Sequence, residues 1–164
     1  MKRVVLTALA LGAIGALALG QDKMAAASKK AAPAPHVITQ ASDIKWGDPP
    51  PVFPAGAKMA VLKGAPKKSG LYIVRIKAPD GYKVAPHWHP ATENLTVISG
   101  TFNVGMGDQA DPAKSTAMPA GAFASMPAKM HHWAWCKGET EVQVSGMGPF
   151  VLTYVNPADD PSKK

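Results

Sequence analysis

Short alternations of apolar and polar residues recur from residue 58 to residue 155. Strand-like runs are read at residues 58–63, 71–77, 95–99, 101–105, 122–126, 141–145 and 150–155. Residues 141–145 show the pattern plainly: Val142 and Val144 share one face, and Glu141, Gln143 and Ser145 the other. Turn residues separate the runs, among them Pro66, Pro79-Asp80-Gly81, Gly100, Gly107-Asp108, Pro119-Ala120-Gly121 and Gly146. No long amphipathic helical pattern and no internal repeat is evident, and 15 glycines and 16 prolines favour short elements joined by turns. The pattern predicts an all-β sandwich or barrel of seven or more strands.

The ends of the chain read differently. Lys2 and Arg3 precede an apolar run of 16 residues, 4–19, that closes on small residues before Gly20-Gln21. This is the order of a secretory signal peptide, and the run is short for a membrane span. The expectation is a signal at 1–20, a periplasmic or secreted protein, and no stable membrane anchor once the signal is removed. Residues 21–42, rich in Ala, Lys and Pro, read as a flexible linker. The barrel domain is expected at 43–158 and a disordered tail at 159–164.

Composition changes this picture little. Hydrophobic residues make up 46% and charged residues 18%, a folded balance. The net charge of +7 could suggest a nucleic-acid partner, but it sits at the ends: residues 36–162 carry eleven Lys/Arg against ten acids. With no basic stripe carrying interleaved aromatics, nucleic acid is excluded as a partner. Cys136 is the single cysteine, so the chain has no internal disulfide.

Candidate chemistry concentrates in two segments. In the first, Pro86-His87-Trp88-His89-Pro90, the prolines oppose a helix. On extended chain, His87 and His89 point the same way, and Glu93 keeps their parity. Two imidazoles and a carboxylate from one segment suit a divalent metal: Fe, Mn, Cu, Ni or Zn. The second segment, residues 121–136, offers His131 or His132 after a proline-led turn, on a hairpin expected to face the first segment across a barrel.

These segments resemble the two motifs of the cupin superfamily. Gly81, His87, His89, Glu93 and Gly100 fill every specified position of Gly-x5-His-x-His-x3-Glu-x6-Gly. In Gly-x5-Pro-x-Gly-x2-His-x3-Asn, Gly121, Pro127 and His132 match, whereas Lys129 stands for Gly and Cys136 for Asn. The resemblance implies a small single-domain, RmlC-like jelly-roll barrel (double-stranded β-helix) with His87, His89, Glu93 and His132 holding one divalent metal. Four protein ligands would leave coordination sites open for a small oxygen-bearing ligand or substrate. The resemblance spans dioxygenase, decarboxylase and isomerase chemistry. A non-enzymatic metal- or metabolite-binding or sensing module, or a structural oligomer stabilised by metal, stays open beside these.

The remaining residues carry blander expectations. His131 has the opposite parity and reads as an exposed loop residue, and His36 as an idle one in the linker. Cys136 shares parity with His132 and reads as a small buried hydrophobe. Val97, Phe123 and Met126 are expected to line the site, and Met106, Met118, Met126, Met130 and Met147 to fill core gaps. Trp133 and Trp135 fall on the outward face, where a partner subunit or a returning strand would cover them, and a homodimer is expected on that ground.

Overall fold

A computed structural model describes residues 36–164. The expected signal at 1–20, and the linker as far as residue 35, lie outside the described residues. Eight strands follow one another: β1 (Lys58–Lys63), β2 (Gly70–Ala78), β3 (Lys83–Trp88), β4 (Glu93–Met106), β5 (Thr116–Pro119), β6 (Phe123–Met126), β7 (His132–Gly148) and β8 (Thr153–Tyr154). All strand pairs are antiparallel. No helix among the described residues is long and apolar enough to cross a membrane.

Two long strands organise the sheet. β4 and β7 pair from Glu93↔Gly146 at one end to Met106↔His132 at the other. Such a ribbon must bend to enclose a core, and its register breaks on either side of Ser99. Gly100 sits at the bend with φ +75°, and a Cβ there would collide with the Glu139 carbonyl and Thr140. The sequence pattern divides β4 at this glycine. The structure keeps one strand and folds it over, because the ladder resumes at Thr101↔Lys137.

The bend lets β7 serve two partners. Its second half pairs with β2, from Ala78↔Thr140 to Gly70↔Gly148, and its first half with β3, through His87↔His132. β1 extends the sheet beyond β2, β8 extends it beyond β3, and β5 and β6 line β4. Inward residues of the bent sheet form the core: Tyr72, Val74, Leu95, Val97, Val142 and Val144 are all buried. Each fully buried valine contributes on the order of 2 kcal/mol. Phe53 and Ala57, from the segment before β1, join this core.

One expectation changes at the periphery. The final residues include two single-turn 3-10 helices, Pro157–Asp159 and Pro161–Lys163. The Asn156 and Asp160 side chains cap them, each followed by a proline whose fixed φ suits a first turn. Trp133 is not an outward, wet indole: it is 2% exposed and lies across Gly105, the residue opposite it on β4. Trp135 is half-buried and donates its indole N–H to Ser115 Oγ at 3.2 Å. The chain itself therefore covers much of the strip on which a homodimer was expected.

Candidate metal centre

Neighbouring strands bring the candidate residues together. His87, near the end of β3, is paired with His132, the first residue of β7, and their ring centroids are 4.2 Å apart. His132 thus stands beside His87 in one sheet, not across the barrel from it. His89 follows β3 and places its ring 5.0 Å from His87 and 5.3 Å from His132. Glu93 opens β4 and pairs with Gly146, far along β7 from His132, yet its Oε2 lies 3.4 Å from His132 Nε2 and 3.6 Å from His89 Nε2. Only the fold-over of the β4–β7 ribbon makes that approach possible. All four side chains are buried.

Each imidazole is oriented through Nδ1. His87 Nδ1 lies 2.8 Å from the Ala85 carbonyl, His89 Nδ1 2.7 Å from that of Val151, and His132 Nδ1 3.0 Å from that of Met130. A carbonyl can only accept, so each Nδ1 carries the hydrogen. In the neutral rings every Nε2 then presents a lone pair. One donor atom from each of the three histidines falls within 4.8 Å of the others. His89 Nε2 is enclosed and has no hydrogen-bond partner among the described residues.

Lone pairs gathered around a carboxylate repel unless a cation sits among them. Donors about 2.0–2.2 Å from a shared ion stand roughly 3–3.5 Å from one another, close to the two distances from Glu93. The orphaned His89 Nε2 and the three fixed tautomers therefore fit a bound metal, and the three buried histidines could hold one. Protonation is a poor substitute at His87. Burial first, then the neighbouring His132 and His89, push its pKa down to about 3. Burial would raise the Glu93 carboxyl, but the adjacent His132 and the other two imidazoles outweigh this and hold it below the ordinary range.

The donors open onto a cavity of about 50 Å³. A water needs roughly 10–15 Å³ on this measure, so the space admits a few waters or a small ligand. Phe102, Met126, Val144, Phe150 and Leu152 contribute to its mostly apolar wall. Among the described residues, no Lys or Arg lines it. Tyr82 faces the cavity but donates its hydroxyl hydrogen to the Pro54 carbonyl. Cys136 also lines it, and burial pushes its thiol up to about 11.

A family model described as a domain of unknown function (DUF4437) matches residues 25–150. The chain belongs to this family. Among solved structures, the polyketide cyclase RemF from Streptomyces resistomycificus is 14% identical with a TM-score of 0.65, over 78% of this chain and 91% of that one. A putative acetylacetone dioxygenase from Methylibium petroleiphilum PM1 is 21% identical with a TM-score of 0.61, over 79% and 88%. An RmlC-like cupin from Shewanella frigidimarina NCIMB 400 is 18% identical with a TM-score of 0.54, over 69% and 91%. Curated proteins include no match to the sequence. This DUF4437 chain thus has the cupin jelly-roll fold.

Other expectations fare unevenly in this DUF4437 chain. His131 is half-buried and lies outside the cavity lining, with Nδ1 2.6 Å from Asp108 Oδ1, and His36 is exposed. Met126 lines the cavity, whereas Val97 packs within the core and Phe123 is 63% exposed, because it pairs with the outward Thr96. Met118 and Met126 fill the core, but Met106, Met130 and Met147 are exposed. Sequence reading missed Phe150 and Val151, which touch His89 from 61 and 62 positions away. No local pattern marks a contact of that separation.

Proposed function

We propose that this chain is an exported cupin that holds one divalent metal ion through His87, His89, Glu93 and His132 and offers it to a small, largely apolar, oxygen-bearing molecule. One observation carries the reading: three imidazoles have their Nδ1 atoms committed to carbonyls while their remaining nitrogens gather beside a buried carboxylate. When bound, the metal supplies Lewis acidity toward a ligand oxygen and, if redox-active, access to oxygen chemistry. The chain supplies the rest. The three carbonyls hold the rings, and Glu93 contributes negative charge. The apolar wall keeps bulk water out, and the small cavity limits the ligand. With no Lys or Arg in the lining among the described residues, a ligand bearing several charges is disfavoured.

A binding or sensing role is the second reading. It is favoured by the commitment of two cavity-lining groups: the Tyr82 hydroxyl is engaged at Pro54, and the Cys136 thiol stays protonated near neutrality. Export rests on the basic, apolar and small-residue order of residues 2–20.

Elemental analysis of protein recovered from its native compartment tests the assignment. One equivalent of Fe, Mn, Cu, Ni or Zn is expected, lost in His89→Ala and His132→Ala and retained in His131→Ala. Metal retained by His132→Ala but lost from His131→Ala overturns it. Mass spectrometry of the same sample should show a mature N-terminus near Gln21, and an intact Met1 refutes export. Oxygen uptake with small diketones and hydroxy acids then separates the readings: turnover supports catalysis, and tight binding without turnover supports sensing.

A further inference from the structure

The three histidines are not held alike. His87 and His132 each donate Nδ1–H to a carbonyl two residues earlier in their own segments. His89 lies past the end of β3, and its acceptor, the Val151 carbonyl, belongs to the connection between β7 and β8. A single hydrogen bond fixes where Nδ1 points, but it leaves the ring free to pivot about the N–H···O axis. The χ2 preference of histidine is too broad to stop that motion. A pivot would swing Nε2 away from Glu93 and the other imidazoles.

Phe150 blocks the pivot. Its ring stacks on His89 with centroids 5.3 Å apart and planes 28° from parallel. The Phe150 ring is itself backed by Tyr72, at 5.1 Å and 30°, and by Phe53, at 6.1 Å. Its backbone N–H donates to the Pro66 carbonyl at 2.6 Å. Thus half-buried Phe150 is held by two aromatic rings and a backbone hydrogen bond and stacks its ring on His89, while the next residue supplies the acceptor for Nδ1–H.

We propose that Phe150 is a positioning residue for the metal centre. Its ring fixes the plane of His89, and the Val151 carbonyl fixes its tautomer. This inference rests on the proposed function, in which His89 is a ligand. Loss of the flat face should weaken metal binding through His89, because the ring must then be ordered when the ion binds. Support from beyond the ligands typically changes metal affinity about 10- to 100-fold, and stacking without a hydrogen bond belongs near the lower figure.

The test titrates full-length mature protein with Co(II) and follows its visible absorption. Phe150→Met conserves bulk but removes the flat face, and Phe150→Leu is a second such variant. Phe150→Tyr keeps the face. Met118→Ala controls for lost core packing, since Met118 is buried on β5 and is not part of the cavity lining. Phe150→Met and Phe150→Leu should bind Co(II) about 10-fold more weakly with an altered absorption band. Phe150→Tyr should stay within about twofold of the parent, and so should Met118→Ala despite its lower melting temperature. In metal-free protein, NMR should show His89 Nδ1–H exchanging faster in the Met and Leu variants, with the His87 and His132 signals unchanged. Unchanged affinity together with an unchanged His89 signal overturns the inference, as does an equal loss of affinity in Met118→Ala. If the parent binds no Co(II), the proposed function fails, and the exchange of His89 Nδ1–H still decides whether Phe150 positions that ring.

Discussion

Replacing Lys129 with glycine should stabilise this protein. Lys129 is the one non-glycine residue among those described with positive φ, at +64°. It stands where the second cupin motif has glycine. A side chain in this left-handed region costs roughly 1–2 kcal/mol through contact of Cβ with the backbone. Glycine relieves that strain but adds about 0.5–1 kcal/mol of unfolded-state entropy. The Lys129 side chain is exposed and joins no ion pair among the described residues, so no packing is lost. The hydrogen bond from its backbone N–H to the His89 carbonyl, 2.8 Å, survives the change. The net expectation is a gain of about 0.5–1 kcal/mol, or roughly 2–5 °C in melting temperature for a domain of this size. Lys129→Ala is the control, since it keeps the strain and should match the parent within about 0.5 kcal/mol. Urea denaturation at equal m-value measures both. A glycine variant no more stable than the alanine variant refutes the reasoning.

Three further outcomes are expected. Gly105→Ala would drive a Cβ into the Trp133 indole and should cost about 1–3 kcal/mol in urea denaturation; a near-neutral result refutes the close approach. Metal-free protein should lose stability as pH falls from about 6.5 toward 3, with a slope of up to about 1.4 kcal/mol per pH unit from His87 alone. There the unfolded chain binds the proton that the buried imidazole refuses, and the depressed Glu93 carboxyl adds a loss of the same sign at lower pH. Denaturation midpoints of chelator-treated protein at pH 7, 5.5 and 4.5 check this, and a flat profile refutes it. Finally, Zn(II) at about 100 times its dissociation constant should stabilise the protein by about 2.7 kcal/mol in thermal melts. His89→Ala should abolish the gain and His131→Ala should keep it.

Strand content and the composition of the site were legible in the sequence because both are local properties. Period-two alternation at residues 141–145 and 71–77 needs only the pleat to place Val142, Val144, Val74 and Ile76 inside. The shared face of His87 and His89 needs only extended chain, whereas Glu93 opens the next strand after a bend at residues 90–91. The motif glycines Gly81, Gly100 and Gly121 all adopt positive φ, a demand of the local backbone that the sequence records directly. What parity along one strand could not supply was the third dimension. It placed Trp133 outward but said nothing of Gly105, which receives the indole. It drew His132 from across the barrel, whereas pairing of β3 with β7 sets it beside His87. The approach of Glu93 to His132 depends on a ribbon that bends at Gly100, and the seating of His89 on Phe150 and Val151 depends on chain 61 and 62 residues away. Sequence by itself determined which residues could ligate and on which face of a strand each stands, because backbone geometry acts over a few residues. Only the tertiary structure decided which faces meet, because that follows from how the whole sheet curls to bury its apolar side.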